Sequence, residues 1–321
     1  MKYLGYLARI IVSVTFIFSG FVKLVDPLGS SYKFQEYFGA GVLNIEFLIP
    51  YSLPFSIVLI IADLMLGVFL LIGFKPKFTI WSLVALSAFF LFLTWYSAYY
   101  DKVTDCGCFG DAITLTPWGT FYKNIVLLFF VLILIVQLKN IKPLFSTSLT
   151  KWIVFLSFVG CMFISYYVLV HLPIIDFRPY AVGKNLPEGM EYVGDKEPAI
   201  HDFYLESSEG EEMTYQVLEG EKVALFIAYN LQKGATDGLK QLAELGKQAK
   251  NSGYQVYMLS ASLMEQFEEL KTTYNYDFDM LFCDETTLKT IVRSNPGIVL
   301  LEKGTVTGKW SWSDMDEISW Q

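Results

Sequence analysis

Five long apolar stretches, separated by short polar links, dominate the first half of the chain. They run approximately over Leu4–Leu24, Tyr51–Phe74, Phe78–Tyr100, Trp118–Leu138 and Trp152–Leu172. About 20 apolar residues are enough to cross the hydrocarbon core of a bilayer, so the pattern predicts five membrane-spanning helices. Arg9 interrupts the first stretch and further spans follow it, which argues against a cleaved signal peptide. The first stretch is therefore expected to be retained as a span.

The links between these spans alternate in charge. Two of them, 74–78 and 138–151, contain no acidic residue and carry the lysines Lys75, Lys77, Lys139, Lys142 and Lys151. The positive-inside rule then predicts a cytoplasmic N-terminus and an extracytoplasmic location for the residues after the fifth span. The outer link 25–50 is too polar to span the membrane. Apolar residues at Tyr37, Phe38 and Val42 predict a short amphipathic helix there, on the outer face.

From His201 onward, short apolar runs alternate with amphipathic segments. Residues 201–215 are interpreted as two short strands around a turn. The pattern then predicts strands in 222–229, 254–262 and 279–285, helices in 236–253, 263–275 and 285–294, and a terminal hairpin in 297–312 that turns at Lys303 and Gly304. Strands that alternate with helices and end in a hairpin predict an α/β sandwich with a mixed sheet.

Composition and charge support a division into a membrane part and a water-soluble part. The chain is 54% hydrophobic and 17% charged, which is too apolar for an ordinary soluble protein of 321 residues. Residues 1–178 carry 12 Lys/Arg and 8 Asp/Glu, whereas residues 179–321 carry 12 and 24. An acidic second half argues against nucleic acid as a partner, because binding to phosphate needs cationic contacts.

The sequence DCGCFGD, residues 105–111, is the main candidate for chemistry. Cysteines can be bridged only when their Cα atoms lie within about 7 Å, and Cys106 and Cys108 meet this in a tight turn that the central glycine permits. A disulfide between them would close a small ring, which should be strained, so its S–S bond should exchange easily with other thiols. Exchange, static packing and a metal site all stay open. A metal is ranked last, because the only histidines, His171 and His201, are distant in sequence.

Several segments occur in the order found in a known membrane family. DCGCFGD precedes TPWGTFYKNIVLL, in which Lys123 and Asn124 open the fourth span. The first span contains Arg9 and ends in FIFSGFVKLVDP, which includes Lys23. Over about residues 4–140 the chain resembles the MauE branch of the DoxX-like membrane proteins, with Lys123 in place of the more usual arginine.

The resemblance to MauE implies a four-helix bundle related in architecture to vitamin K epoxide reductase. It also implies extracytoplasmic disulfide chemistry, with Cys106 and Cys108 as the catalytic pair and a membrane quinone as the candidate cofactor. The predicted location agrees with this, because disulfides persist outside the cytosol.

Charged residues inside the predicted spans are expensive and are usually paired. Asp63 lies near the middle of the second span, and a buried pair with Arg9 that holds the bundle together is the favoured interpretation. A proton-relay role for Asp63 is the alternative. Lys23, Lys123 and Asn124 are further structural or relay candidates.

The second half resembles the thioredoxin-like fold in its TlpA or peroxiredoxin form. That resemblance places a Cys-x-x-Cys motif just after the first buried strand, but residues 230–233 contain no cysteine. It also implies a cis peptide bond before Pro296. Cys283, at the end of a buried strand, and Cys161, in the fifth span, are expected to be buried and inert.

Together these patterns predict a membrane all-α bundle followed by an α/β thioredoxin-like domain. The expected divisions are 1–145 for the four-span domain, 146–180 for the fifth helix and linker, and 181–321 for the extracytoplasmic domain. In the bacterial cytoplasmic membrane, the leading function is thiol–disulfide exchange with a protein client docked on the thioredoxin-like domain. The alternative is a non-enzymatic assembly factor in which the Cys-Gly-Cys turn is structural.

Overall fold

A computed structural model describes residues 2–102, 107, 109–113, 115–192, 194 and 197–320. The chain divides into two compact units, Met1–Leu169 and Val170–Gln321. The first unit consists of α1 (Lys2–Val25), α2 (Pro27–Phe38), α3 (Ser52–Ile72), α4 (Pro76–Tyr100), α5 (Pro117–Val136) and α6 (Thr147–Val170). Apart from α2, each is long and apolar enough to cross a membrane. The prediction of five spans is therefore confirmed.

The short helix predicted between the first two spans is α2. Asp26 caps it by accepting a hydrogen bond from the Gly29 N–H at 3.0 Å, and Pro27 occupies its first turn. Tyr37 and Phe38 are buried at its end. The helix ends before Val42, which lies in the following turn.

Helices α1 and α3 run antiparallel and approach each other closely. A Cβ atom added to Gly67 would lie 2.9 Å from the backbone nitrogen of Ile17 and 3.0 Å from the carbonyl oxygen of Ser13. Glycine therefore allows the two backbones to touch, as small residues commonly do between membrane helices. This contact fixes which residues of α1 face which residues of α3.

The second unit contains a five-stranded sheet in the order β3-β2-β1-β4-β5. Its strands are β1 (Val223–Ile227), β2 (Gln255–Ser260), β3 (Asp279–Phe282), β4 (Gly297–Glu302) and β5 (Thr305–Ser311). The first three are parallel, β4 is antiparallel to β1, and β5 is antiparallel to β4. The mixed sheet predicted from the sequence is confirmed, with its hairpin turning at Lys303 and Gly304.

Among the described residues of the second unit, five helices complete the α/β arrangement. They are α7 (Leu186–Gly189), α8 (Thr214–Glu219), α9 (Thr236–Asn251), α10 (Met264–Tyr274) and α11 (Glu285–Ile291). Alternate residues of β1 enter two cores, Leu225 and Ile227 on one face of the sheet and Ala224 and Phe226 on the other. The peptide bond between Asn295 and Pro296 is cis, as predicted. The strand order and this cis proline before the hairpin are those of a thioredoxin-like fold.

The two short strands predicted in 201–215 are reduced to a minimal hairpin. Within this fully described segment a single bridge joins Glu206 and Glu212, flanked by two backbone hydrogen bonds of 2.9 Å. Glu206 also exchanges two backbone hydrogen bonds with Phe282, at 2.8 and 3.1 Å. The short hairpin therefore covers the outer edge of β3.

A buried charge cluster ties the start of the second unit to β5. Asp176 receives two hydrogen bonds from the Arg178 guanidinium, at 2.7 and 2.9 Å, and one from Lys309 at 2.7 Å. Lys309 also donates to the Tyr180 carbonyl at 3.1 Å, and Arg178 donates to that of Thr290 at 3.0 Å. The side chains of Arg178 and Lys309 are only 2% and 3% exposed. Two buried cations therefore share one carboxylate.

Candidate functional site

Cys106, Cys108 and Asp105 lie outside the described residues, but Gly107 between the two cysteines is described. Its φ of +65° is in the left-handed region that glycine adopts readily. A Cβ atom at this position would lie 3.2 Å from Cγ of Lys33 on α2. The centre of the Cys-Gly-Cys sequence is thus a left-handed turn residue next to α2.

Phe109 anchors the same loop to two membrane helices. Its ring centre lies 5.6 Å from that of Phe18 on α1. The ammonium group of Lys123, near the start of α5, lies 4.2 Å from the centre of the Phe109 ring. This is a cation–π contact of ordinary length. Lys123, singled out from the sequence, therefore helps to hold the loop on the bundle.

Asp63 is paired with Lys23, and the predicted pair with Arg9 is wrong. The side chains of Lys23 and Asp63 are 10% and 1% exposed and form a direct ion pair. Arg9 instead donates to the carbonyls of Leu70 and Leu71, each at 2.9 Å. The antiparallel register explains this, because it places the start of α1 beside the end of α3, and Lys23 beside Asp63.

Asn124 is also buried, and its amide donates to Oγ1 of Thr94 on α4 at 3.2 Å. The Thr94 hydroxyl in turn donates to the Phe90 carbonyl at 2.8 Å. This chain of hydrogen bonds joins α5 to α4. It gives Asn124 a positioning role beside Lys123.

Two small cavities adjoin the Lys23–Asp63 pair. One, of about 30 Å³, is lined by polar groups that include Ser19, Lys23, Asp63, Lys123 and Asn124. The other, of about 40 Å³, is lined by Lys23, Lys33, Phe34, Tyr37 and Gly107 among others. Lys23 and Phe90 line both cavities. The pair therefore lies between the Cys-Gly-Cys turn and a polar space inside the bundle.

The larger cavity does not fit an enclosed quinone ring. Its aromatic wall and its two ammonium groups, from Lys23 and Lys33, are chemically suited to a ring with carbonyl oxygens. Its volume of about 40 Å³, however, is far below the roughly 150 Å³ of a cavity that holds benzene. No step of the chemistry is therefore assigned to a quinone.

In the second unit, residues 230–233 stand where a thioredoxin-like dithiol would be. Residues Leu231–Lys233 form a 3₁₀ turn, and the Asn230 side chain accepts a hydrogen bond from the Lys233 N–H at 3.0 Å. Asn295, next to the cis proline, donates its amide to the Asn230 carbonyl at 2.8 Å. An asparagine network occupies this fully described position, where the fold would otherwise carry two cysteines.

The two described cysteines are poorly suited to exchange. Cys161 packs in the membrane core with Leu24 and Ile60, and Cys283 is fully buried. Burial, reinforced by the charges of Asp202 and Asp284, raises the pKa of the Cys283 thiol to about 12. Almost none of it is thiolate at neutral pH, so it is a poor nucleophile.

Lys33 and Phe90 were not singled out from the sequence. Lys33 lies on the short helix α2, and its position beside Gly107 depends on how that helix folds back on the bundle. Phe90 is one of many aromatic residues in the spans. Neither position has a local sequence signal, because both depend on the packing of separate helices.

Comparison with known proteins gives a family match for the first part of the chain. Residues 1–137 match the family model described as methylamine utilisation protein MauE. Protein TlpB of Flavobacterium psychrophilum is 30% identical over 148 residues, which cover 43% of this chain. The chain spans 38% of the length of that relative.

Solved structures with some likeness include the thioredoxin domain of a thiol-disulfide oxidoreductase from Bacteroides vulgatus. It is 13% identical with a TM-score of 0.30, and the match covers 40% of this chain and 87% of that one. A thioredoxin-like protein from Bacteroides caccae is 12% identical with a TM-score of 0.30, and the match covers 84% of this chain and 82% of that one. The fold assignment itself depends on the strand order and the cis proline described above. The chain thus joins a membrane segment that matches the MauE family model, over residues 1–137, to a thioredoxin-like α/β unit.

Proposed function

We propose that this multi-pass membrane protein carries out thiol–disulfide exchange outside the cytoplasmic membrane through Cys106 and Cys108. The observation that carries the proposal is the placement of Gly107. It has a left-handed backbone conformation beside Lys33 and lines the cavity that reaches the buried Lys23. Two cysteines separated by one glycine are close enough in sequence to form a reversible disulfide in a tight turn.

The exchange needs no cofactor to balance. A client thiol loses its proton and attacks one sulfur of the Cys106–Cys108 disulfide, the S–S bond breaks, the leaving sulfur takes up a proton, and a mixed disulfide forms. The client's second thiol then loses its proton and attacks the mixed disulfide, so the client leaves as a disulfide and the pair, with a second proton, as a dithiol. Two electrons and two protons pass from the client to the pair, and the reverse reaction passes them back.

The thioredoxin-like unit acts in this proposal as a docking module rather than as an electron carrier. Its 230–233 turn has no cysteine and Cys283 is buried. Both edges of its sheet are covered, β3 by Glu206 and β5 by backbone hydrogen bonds from Gly183 and to Lys184. A client is therefore expected to bind the loops near Asn230 and Asn295 rather than add a strand to the sheet.

Labelling of intact cells with a membrane-impermeant maleimide tests the location and the redox state together. Cys106 and Cys108 are expected to react only after a mild reductant, because the pair is extracytoplasmic and oxidised. Cys161 and Cys283 are expected to stay unlabelled in the folded protein with or without reductant. The modified residues are identified by mass spectrometry.

Two control variants calibrate this labelling in a chain whose native cysteines are replaced by alanine. The variants are Ser208→Cys and Lys139→Cys, and both positions are exposed, so accessibility within the protein is matched. Ser208→Cys should be labelled in intact cells, and Lys139→Cys should be labelled only after the cells are opened. The reverse pattern would invert the orientation. Labelling of Cys106 and Cys108 that is unchanged by reductant would contradict the exchange proposal.

A membrane-anchored assembly factor is the second candidate function. It is favoured by the asparagine network at 230–233, which shows that one half of the chain keeps a redox-type fold without a dithiol. In that case the Cys-Gly-Cys turn is only structural. The double variant Cys106→Ala, Cys108→Ala would then keep the wild-type phenotype in cells.

A further inference from the structure

Asp63 is a buried carboxylate that is only half satisfied. Its Oδ2 pairs with Lys23, whereas its Oδ1 has no hydrogen-bond partner among the described residues. The side chain is 1% exposed and lies in a span of the bundle. Ionisable residues at such positions are expensive and commonly take part in function.

The surroundings of Asp63 are rich in positive charge. Lys23 faces it from α1, Lys123 lines the same cavity from α5, and Phe90 closes the wall from α4. Lys33 on α2 lines the adjoining cavity and makes an exposed contact with Glu36 at 3.4 Å. Asp63 is the only acidic residue among the described residues that line the two cavities.

The two cavities, one beside Asp63 and one beside Gly107, are spaces that suit water. A water molecule needs about 10–15 Å³ of such space and two or more polar partners. The cavities of about 30 and 40 Å³ meet this requirement, and they share Lys23 as a wall. The larger one reaches Gly107, the residue between the two cysteines.

We infer that the Lys23–Asp63 pair is a proton-exchange site that serves the thiol–disulfide exchange; this inference rests on the function proposed above. Asp63 takes the proton that the attacking thiol releases and returns it, by way of the cavities, to the sulfur that leaves when the S–S bond breaks. The carboxylate ends each exchange unchanged, and the two electrons pass only between sulfurs. A pair that served only to hold α1 against α3 would need no polar cavity beside it.

Exchange kinetics of the full-length protein in nanodiscs test the inference. The rate at which dithiothreitol reduces the Cys106–Cys108 disulfide is followed from pH 6 to 9 by maleimide mass shift. Asp63→Asn is expected to slow the reaction about 10- to 100-fold and to flatten its pH profile, because a positioned acid–base group contributes at least this much. Asp63→Glu should restore most of the rate.

Two further variants separate proton exchange from folding. The double variant Lys23→Met, Asp63→Leu replaces the buried pair by apolar groups and should fold, as such replacements often do, yet exchange slowly. Ser165→Ala, at a buried hydroxyl on α6, should keep the wild-type rate. Wild-type rates and an unchanged pH profile in Asp63→Asn would overturn the inference even though the cysteine pair cycles.

Labelling with an apolar carbodiimide tests the proton site without the cysteines, since this reagent modifies protonated carboxyl groups. We expect Asp63 to be modified in the wild-type protein, more completely at pH 6 than at pH 9. If the Cys106–Cys108 pair of the wild-type protein never changes redox state, the proposed function fails. In that case, absent or pH-independent modification of Asp63 would overturn the proton site as well, and pH-dependent modification would support it.

Discussion

Replacing Gly67 by leucine is expected to prevent stable assembly of the membrane unit, whereas the same change at Gly160 should be tolerated. A Cβ atom at position 67 meets backbone atoms of Ile17 and Ser13 at 2.9 and 3.0 Å, and backbone cannot move aside as a flexible side chain can. At Gly160, on α6, no atom of the described residues lies within 4 Å of the added Cβ. Overpacking typically costs about 1–3 kcal/mol, and a backbone clash lies at or above the upper end.

Gel filtration of the detergent-solubilised protein, followed by tryptophan fluorescence, measures this difference. Both glycines lie within apolar helices, so the intrinsic effect of glycine on helix stability is matched. Gly67→Leu should give aggregated or little recoverable protein, and Gly160→Leu a wild-type elution profile. Equal recovery of the two variants would mean that the close approach of α1 and α3 is not what holds the unit together.

Replacing Asp176 by asparagine should strongly destabilise the thioredoxin-like unit. The change leaves Arg178 and Lys309 buried without a counter-charge, and breaking a buried pair in this way costs about 3–5 kcal/mol. Burial, followed by the charge of Arg178, already lowers the pKa of Lys309 to about 7. Pulse proteolysis of the full chain should show unfolding of residues 170–321 about 10 °C below wild type.

The control for this cluster is Asp277→Asn. Asp277 contacts Lys250 at 3.3 Å with both side chains exposed, so its loss should cost at most about 1 kcal/mol. Burial by itself raises the pKa of Asp176, but Arg178 and Lys309 outweigh it and hold that pKa below its usual value. The stability that Asp176 contributes is therefore full above about pH 4 and is lost as the pH falls through the folded-state pKa. A difference in stability between the wild-type protein and Asp176→Asn that persists at lower pH would contradict this account.

Much of the architecture follows from local sequence. The length of the apolar stretches predicts the five spans. The spacing of apolar residues and the turn residues predict the order of strands and helices, because these signals arise within single elements. The Arg9–Asp63 pair was wrong because it needed the register between α1 and α3. That register brings Gly67 against Ile17 and Gly20 against Leu64, and no pattern within one helix reveals such contacts.

The candidate site shows the same division. Cys106 and Cys108 stand out by their spacing, and Lys23, Asp63 and Lys123 by their charge in apolar surroundings. The arrangement of Lys23, Asp63 and Lys123 around two cavities depends on the packing of α1 to α5. The position of the segment 201–215 also depends on a distant contact, since Glu206 pairs with Phe282 at the edge of β3.

Mixed-disulfide trapping tests the central claim most directly. The full-length Cys106→Ala and Cys108→Ala variants are expressed in cells, where removal of one cysteine prevents the remaining one from resolving a mixed disulfide with a client. At least one variant should form reductant-sensitive adducts on non-reducing gels, with the bond mapped by mass spectrometry to the remaining cysteine of the pair. Cys161→Ala and Cys283→Ala should form none. The absence of adducts from both single variants, together with a wild-type phenotype of the double variant, would contradict the claim.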